Sequence, residues 1–369
     1  MQKRRLGRTD LHVSVAGFGG IPIIALSREE AEKVVRYAYE QGINYFDTAR
    51  AYGDSEEKIG AALKNVRDEV VIATKTHQRT KEEAARAGIK QSLRNLQTDR
   101  IDLVQLHGID TEEILKKAMG SEGSLAALEE AKSQGKIGYI GISGHNPYVL
   151  EKAIETGKFD TVLVPLNVLE RRAAEKLIPY ARELDVGIVI MKPLGGCGAP
   201  LQYPQWGARF LGKPEQDWPD LSEFIPHFGR DGSERAHRSL RFVLAHNVDT
   251  VIPGLRSTAQ VDHLVKVAEE FRGLTSEEKR SYRFGQLPPE PFCRECRLCM
   301  PCPDGVEIPT ILRWANHYTF YNIQEWTRQQ YPKLGTKVNS CTECGKCEEE
   351  CPYHLPVITM LKEAEKRLK

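Results

Sequence analysis

Four polar residues stand where apolar runs of the sequence end: Asp47, Tyr52, Lys75 and His107. Ile43 to Phe46 is β-branched and aromatic, follows Gly42 and stops at a polar turn, the pattern of a short buried strand that opens into a loop. Asp47 sits at its exit and Tyr52 on the loop. Val70 to Ala73 is a second apolar run, ending in Thr74-Lys75, and Ile101 to Leu106 a third, ending on His107. A phenol is a poor acid at neutral pH, its ordinary pKa being about 10, so a tyrosine that donates a proton needs a nearby cation. Lys75 is the candidate. Singly, each residue has an ordinary reading: Asp47 as a helix N-cap, Tyr52 as a rim aromatic, Lys75 as a solvated charge, His107 as a satisfied core histidine. Delivered by three successive strands to one end, they read together as a proton-transfer site.

The elements that must position them alternate along the chain. A hairpin is expected over residues 3 to 14, and Val15 to Gly20 reads as the first strand of the main fold. Ser27 with Glu30 makes a capping box before Ala31, Val34, Val35 and Ala38, and Thr80 with Glu83 repeats it before a helix to about Leu96. Later helices are expected over 124–134, 147–156, 173–184, 234–246 and 257–270, with strands over 137–143, 161–164, 187–192 and 250–253 between them. About eight strand-helix units result, the number a closed (β/α)8 TIM barrel needs, with its chemistry at the C-terminal ends of the strands. An open doubly wound sheet uses the same alternation, but no G-x-G-x-x-G follows the first strand, so the barrel is preferred. Between Lys192 and Glu234 the alternation lapses for about forty residues, expected either to cover the cofactor or substrate or to pack against a C-terminal domain.

The run Tyr45-Phe46-Asp47-Thr48-Ala49 with Tyr52-Gly53, Thr74-Lys75 and Leu106-His107 resembles the catalytic tetrad of the aldo-keto reductases over about the first three quarters of the chain. The resemblance implies reduction of an aldehyde or ketone by NADPH or NADH. Tyr52 would be the general acid, Lys75 would lower its pKa, Asp47 would pair with Lys75 and His107 would orient the carbonyl. It also implies that Pro253, Gly254, Arg256, Ser257 and Gln260 hold the adenosine phosphate, which suits a helix N-terminus. His263 and Leu264 replace a common Glu and Asn, so the resemblance does not choose between NADPH and NADH. At the nicotinamide end it implies Ser143, with Gly144 in place of the more common Asn. Leu163 stands where a Gln is frequent, and Asn167 is offered as the substitute amide. Met191 takes the place of a stacking aromatic, and Lys192, Pro193 and Leu194 follow it as cofactor positions.

Eight of the nine cysteines fall after residue 290. Cys341, Cys344, Cys347 and Cys351-Pro352 form C-x2-C-x2-C-x3-C-P, the bacterial ferredoxin run for [4Fe-4S] clusters, whose fourth Cys serves the other cluster. Cys293, Cys296, Cys299 and Cys302-Pro303 form a second group, one residue shorter before its last Cys. The expected sets are Cys293, Cys296, Cys299 and Cys351 around one cluster, and Cys341, Cys344, Cys347 and Cys302 around the other. Two structural Zn(Cys)4 sites are the competing reading, against which the three-plus-one grouping and the Pro after each fourth Cys argue. The interval around Ile311, Trp314, Ala315, Tyr318 and Tyr321 reads as helix, resembling the helical ferredoxin domains of anaerobic reductases. Leu287 to Pro291 is a stiff linker, which divides the chain into a barrel, 1–286, and a ferredoxin-type domain, 287–369.

The formal net charge of +1 offers no footprint for nucleic acid or an anionic membrane, and no stretch has the roughly 18 apolar residues of a membrane helix. No apolar run suited to a secretion signal follows the first residues, so a cytoplasmic protein is expected. The expected partners are a small carbonyl substrate and, as one option, a redox protein. A nicotinamide passes two electrons as hydride and each cluster one, and no flavin motif links them, so electron transfer, sensing and a structural role all stay open for the clusters. The alternative function is an iron-sulfur electron-transfer protein whose barrel binds nucleotide or a redox partner without reducing a carbonyl.

Overall fold

The computed structural model describes residues 1–76, 81–168, 170–194, 232–283, 293, 295–320, 324–351 and 354–369. An antiparallel hairpin of β1 (Lys3–Arg5) and β2 (His12–Ser14) leads the chain, with Arg4 paired to Val13. Eight parallel strands follow: β3 (Phe18–Gly19), β4 (Tyr45–Asp47), β5 (Val71–Thr76), β6 (Ile101–Leu106), β7 (Ile137–Ser143), β8 (Thr161–Pro165), β9 (Gly187–Met191) and β10 (Thr250–Ile252). They hydrogen-bond in chain order, and parallel bridges from Ala16 to Val251 and Gly19 to Gly254 join the first to the last. The sheet is therefore a closed ring, and the expected TIM barrel is the observed fold.

Tyr45, Val71, Ala73, Leu103, Leu163, Val189 and Ile252 fill the ring, each contributed by a strand whose alternate residues point inward. Burying an aliphatic side chain of this kind contributes about 1.5–3 kcal/mol. Leu6 and Val13 of the hairpin join that cluster. Asn44, at the head of β4, binds the hairpin by accepting from Ser14 N at 2.6 Å and donating to His12 O at 2.8 Å. The hairpin thus plugs the end of the barrel opposite the strand exits.

Helices alternate with the strands as expected, and Ser27 and Glu30 form the full capping box ahead of Arg28–Glu40. Helix Glu82–Asn95 departs from expectation at its start, because its N-cap is Lys81, without a side-chain cap, and Thr80 lies outside the described residues. The expected helix over 173–184 is broken into Arg172–Glu175 and Leu177–Glu183. Among the helices of the barrel unit, Ser55–Leu63 and Glu112–Met119 were not expected. Ser55, Glu56 and Lys58 are buried on the first, which hides its apolar stripe from the sequence. Glu56 is satisfied there by Arg50, Thr74, Ser92 and Asn95, and Lys58 by the carbonyls of Ile23 and Leu26.

The compact barrel unit comprises Met1–Pro193 with Leu240–Thr275, and Ser276–Lys369 belongs to a second unit. In the second, helices Ile308–Phe320 and Val357–Leu368 supply a core of Ile308, Ile311, Leu312, Ala315, Met360, Leu361 and Ala364. Both the expected segment between Lys192 and Glu234, over 195–231, and the proline-rich run Leu287 to Pro291 lie outside the described residues. Among the described residues no helix is long and apolar enough to cross a membrane.

Candidate active site

β4 ends on Asp47, β5 carries Lys75 one residue before its end, and His107 directly follows β6. Parallel pairing with Phe46 opposite Ile72 and Lys75 opposite Gln105 brings these positions to the same mouth of the ring. Asp47 and Lys75 are 2% and 1% exposed, whereas Tyr52 and His107 are only partly buried, so an ion pair lies beneath two rings that face the opening.

The Lys75 ammonium donates to Asp47 Oδ1 and to Thr48 O at 2.7 Å. Its Nζ lies 5.0 Å from the Tyr52 ring centroid. The Tyr52 and His107 rings meet edge to face, with centroids 5.8 Å apart and planes at 82°. Asp47 Oδ2 accepts from Gln105 Nε2 at 3.0 Å. Burial pulls the Lys75 pKa down most strongly, but the charges and hydrogen bonds of Asp47 and Tyr52 together outweigh it and hold the ammonium above its ordinary value. Burial pushes the Asp47 carboxyl above its ordinary value, and Lys75 and Gln105 only partly offset that rise. An ion pair at neutral pH is compatible with both directions.

The loop that carries Tyr52 is tied down by its backbone. Thr48 N donates to Ala73 O at 2.8 Å, Arg50 N to Lys75 O at 3.2 Å and Tyr52 N to Ala49 O at 2.9 Å. Arg50 also pairs with buried Glu56 at 2.7 Å, which links the loop to the helix behind it. Sequence reasoning passed over Gln105, Arg50 and Glu56. The signal for Gln105 was a glutamine inside an apolar strand two residues before His107, on the same strand face.

Around this mouth, Ser143 is buried and its hydroxyl bridges strands, donating to Leu106 O at 3.2 Å and accepting from Gly108 N at 3.1 Å. Asn167, expected as a substitute amide, is held by its own surroundings: Nδ2 donates to Lys192 O at 3.0 Å and Oδ1 accepts from Glu170 N at 2.9 Å. Leu163 points into the barrel core, and Met191 packs against it at the end of β9. Lys192 has a φ of 54°, and Pro193 and Leu194 continue the turn. Pro253 O accepts from Gly19 N at 2.9 Å, and Gly254 forms one of the two bridges that close the ring. Ser257 caps helix Thr258–Glu270 by accepting from Gln260 N, while Gln260 Oε1 accepts from Arg256 N at 2.9 Å. Arg256 is exposed beside that positive helix end, a place suited to phosphate.

In the second unit none of the eight expected cysteines is in a disulfide. Burial, then the charges of Cys296, Cys347 and Cys351, pushes Cys299 up to about 12, so both Cys347 and Cys351 of the later group lie near it. Burial, then Glu348, Cys341 and Cys302, pushes Cys347 up to about 11, so the second group has Cys302 beside it. The loops also repeat one another: Glu295 and Glu343, at φ of 59° and 58°, turn their N–H groups onto Cys293 Sγ and Cys341 Sγ, each at 3.4 Å. Arg297 and Gly345, after the second cysteine of each group, also have positive φ, 61° and 78°. Amides aimed at sulfur tune cluster thiolates, and this donor set fits two [4Fe-4S] groups. Among the described residues no three His, Cys, Asp or Glu converge closely enough for a single metal ion.

Two family models match the chain. The family model described as Aldo/keto reductase family matches residues 16–281, and that of the 4Fe-4S dicluster domain matches 292–356. An uncharacterized oxidoreductase of Bacillus subtilis is 29% identical over 298 residues, covering 75% of this chain and 94% of that protein. The L-galactose dehydrogenase of Arabidopsis thaliana is 29% identical over 301 residues, 76% of this chain and 92% of that one. Among solved structures, the holo form of an aldo-keto reductase from Bacillus halodurans is 30% identical with a TM-score of 0.63, covering 77% of this chain and 95% of its own.

Proposed function

Because the chain belongs to the aldo/keto reductase family, with a match to a 4Fe-4S dicluster domain beyond the barrel, we propose that it reduces an aldehyde or ketone with NAD(P)H and carries two [4Fe-4S] clusters. The observation that carries this reading is the chain of contacts from Asp47 through Lys75 to Tyr52, with His107 against the same phenol. A bound nicotinamide supplies the hydride. Tyr52 protonates the developing alkoxide, and the adjacent Lys75 ammonium favours the phenolate left behind. His107 donates to the carbonyl oxygen and stabilises the charge that builds there. Ser143, Asn167, Met191, Lys192, Pro193 and Leu194 would line the nicotinamide end, and Pro253, Gly254, Arg256, Ser257 and Gln260 the adenosine phosphate. The two sulfur sets would be Cys293, Cys296, Cys299 and Cys351, and Cys302, Cys341, Cys344 and Cys347.

The test is steady-state reduction of a reactive aldehyde by wild type and Tyr52→Phe with NADPH and with NADH. Removing the general acid is expected to lower kcat by about 10²–10⁴-fold, the usual weight of a positioned proton donor. Undiminished turnover in Tyr52→Phe would end the assignment.

A further inference from the structure

We propose that Gln105 is a positioning residue of this site: its amide fixes the Asp47 carboxylate and thereby the direction in which Lys75 presents its ammonium to Tyr52. The proposal rests on the reading that Tyr52 delivers the proton. Gln105 is fully buried on β6, registered opposite Lys75 on one neighbouring strand and Gly141 on the other. Its Nε2 donates to Asp47 Oδ2 at 3.0 Å while Lys75 takes Oδ1, so the carboxylate is held at both oxygens from two different strands. It cannot rotate without breaking one of those bonds. The ammonium donates to Asp47 and to Thr48 O and lies 5.0 Å from the Tyr52 ring centroid, so its orientation toward Tyr52 follows that of Asp47.

The type of residue suits this task. A second cation would compete with Lys75 for the carboxylate, and an acid would repel it; a neutral amide donates without altering the charge of the pair. The barrel wall also makes room for it. A Cβ on Gly141 would lie 2.9 Å from Gln105 Cγ and 2.4 Å from Thr161 Oγ1, closer than real Cβ atoms come. Gln105 Oε1 has no protein hydrogen-bond partner, so Asp47 alone sets which end of the amide faces it. The titratable groups around Asp47 are Lys75, Tyr52 beyond it and Tyr45 on its own strand.

Full-length Gln105→Leu tests the idea through a property that general packing would not move. The protonated Asp47 carboxyl is followed by infrared difference spectroscopy against pH, its band assigned by its loss in Asp47→Asn. Losing a hydrogen bond to a charged group is expected to raise the midpoint by about one to two pH units. In turnover, kcat should fall about ten- to a hundredfold and the acid limb of the pH profile should move up with the carboxyl band. NADPH affinity, measured by fluorescence quenching, should stay unchanged. A carboxyl midpoint that does not move in folded Gln105→Leu would overturn the proposal. If that variant does not fold, Gly141→Ala, which crowds the amide instead of removing it, is read on the same band, and an unmoved midpoint there has the same force. If the wild type reduces no carbonyl compound the functional reading fails, yet the carboxyl titration still decides for or against Gln105.

Discussion

Lys75→Met removes the cation paired with buried Asp47 while keeping a side chain of similar length. Lys75 is 1% exposed and Asp47 2%, so neither can turn to water when its partner is lost. Breaking a buried pair from one side costs about 3–5 kcal/mol, because the remaining charge stays desolvated. At roughly 2–4 °C per kcal/mol, the barrel transition should fall by about 6–20 °C. Asp47→Asn should cost a similar amount, since the ammonium is then left with Thr48 O and Tyr52 alone. The double variant Asp47→Asn/Lys75→Met buries no charge at this point and should be less destabilised than the two single variants added together, by up to about 3 kcal/mol. Thermal melts of the four proteins, followed by circular dichroism at neutral pH, measure this cycle. Strict additivity, or a Lys75→Met midpoint within about 2 °C of wild type, would refute the claim that the two groups form a buried ion pair.

Two further outcomes follow from the charges. The folded-state pKa of Lys75 lies above its ordinary value of 10.5, so its stabilising contribution is complete below that pH and is lost as pH rises through the folded value. The gap in melting temperature between wild type and Lys75→Met should therefore hold from neutral pH, where Asp47 is ionised, up to about pH 10.5 and close above it; a gap that closes between neutral pH and 10.5 would contradict the shift. In the second unit, burial raises Cys299 to about 12 and Cys347 to about 11, so without iron these thiols are protonated at pH 7. Anaerobic removal of iron by a chelator should take up protons in an unbuffered dye assay and lower the melting of the second unit. Iron removal with no proton uptake would argue against thiolate ligation.

Much of the scaffold was legible in one dimension because local rules govern it. Apolar runs ending in Asp47, Lys75 and His107, capping residues such as Ser27 and Glu30, and alternation repeated along the chain are short-range signals. They are enough to suggest parallel strands with one active mouth. The cysteine spacing was equally local, since three ligands of each group fall within a few residues of one another. The helix Ser55–Leu63 was missed because its buried Ser55, Glu56 and Lys58 imitate a solvated segment, and their partners Ser92, Asn95 and Ile23 are far away in sequence.

What the residue order determined by itself was therefore which groups the chain owns and which end of each strand they occupy. Tertiary structure decided whom each group meets. It set Gln105 across from Lys75, committed the Asn167 amide to neighbouring backbone, and brought Cys351 beside Cys299. The physical reason is that strand register and burial act across tens of residues. A side chain's type states what it can donate or accept, whereas its partner and its charge state depend on neighbours that only chain closure supplies.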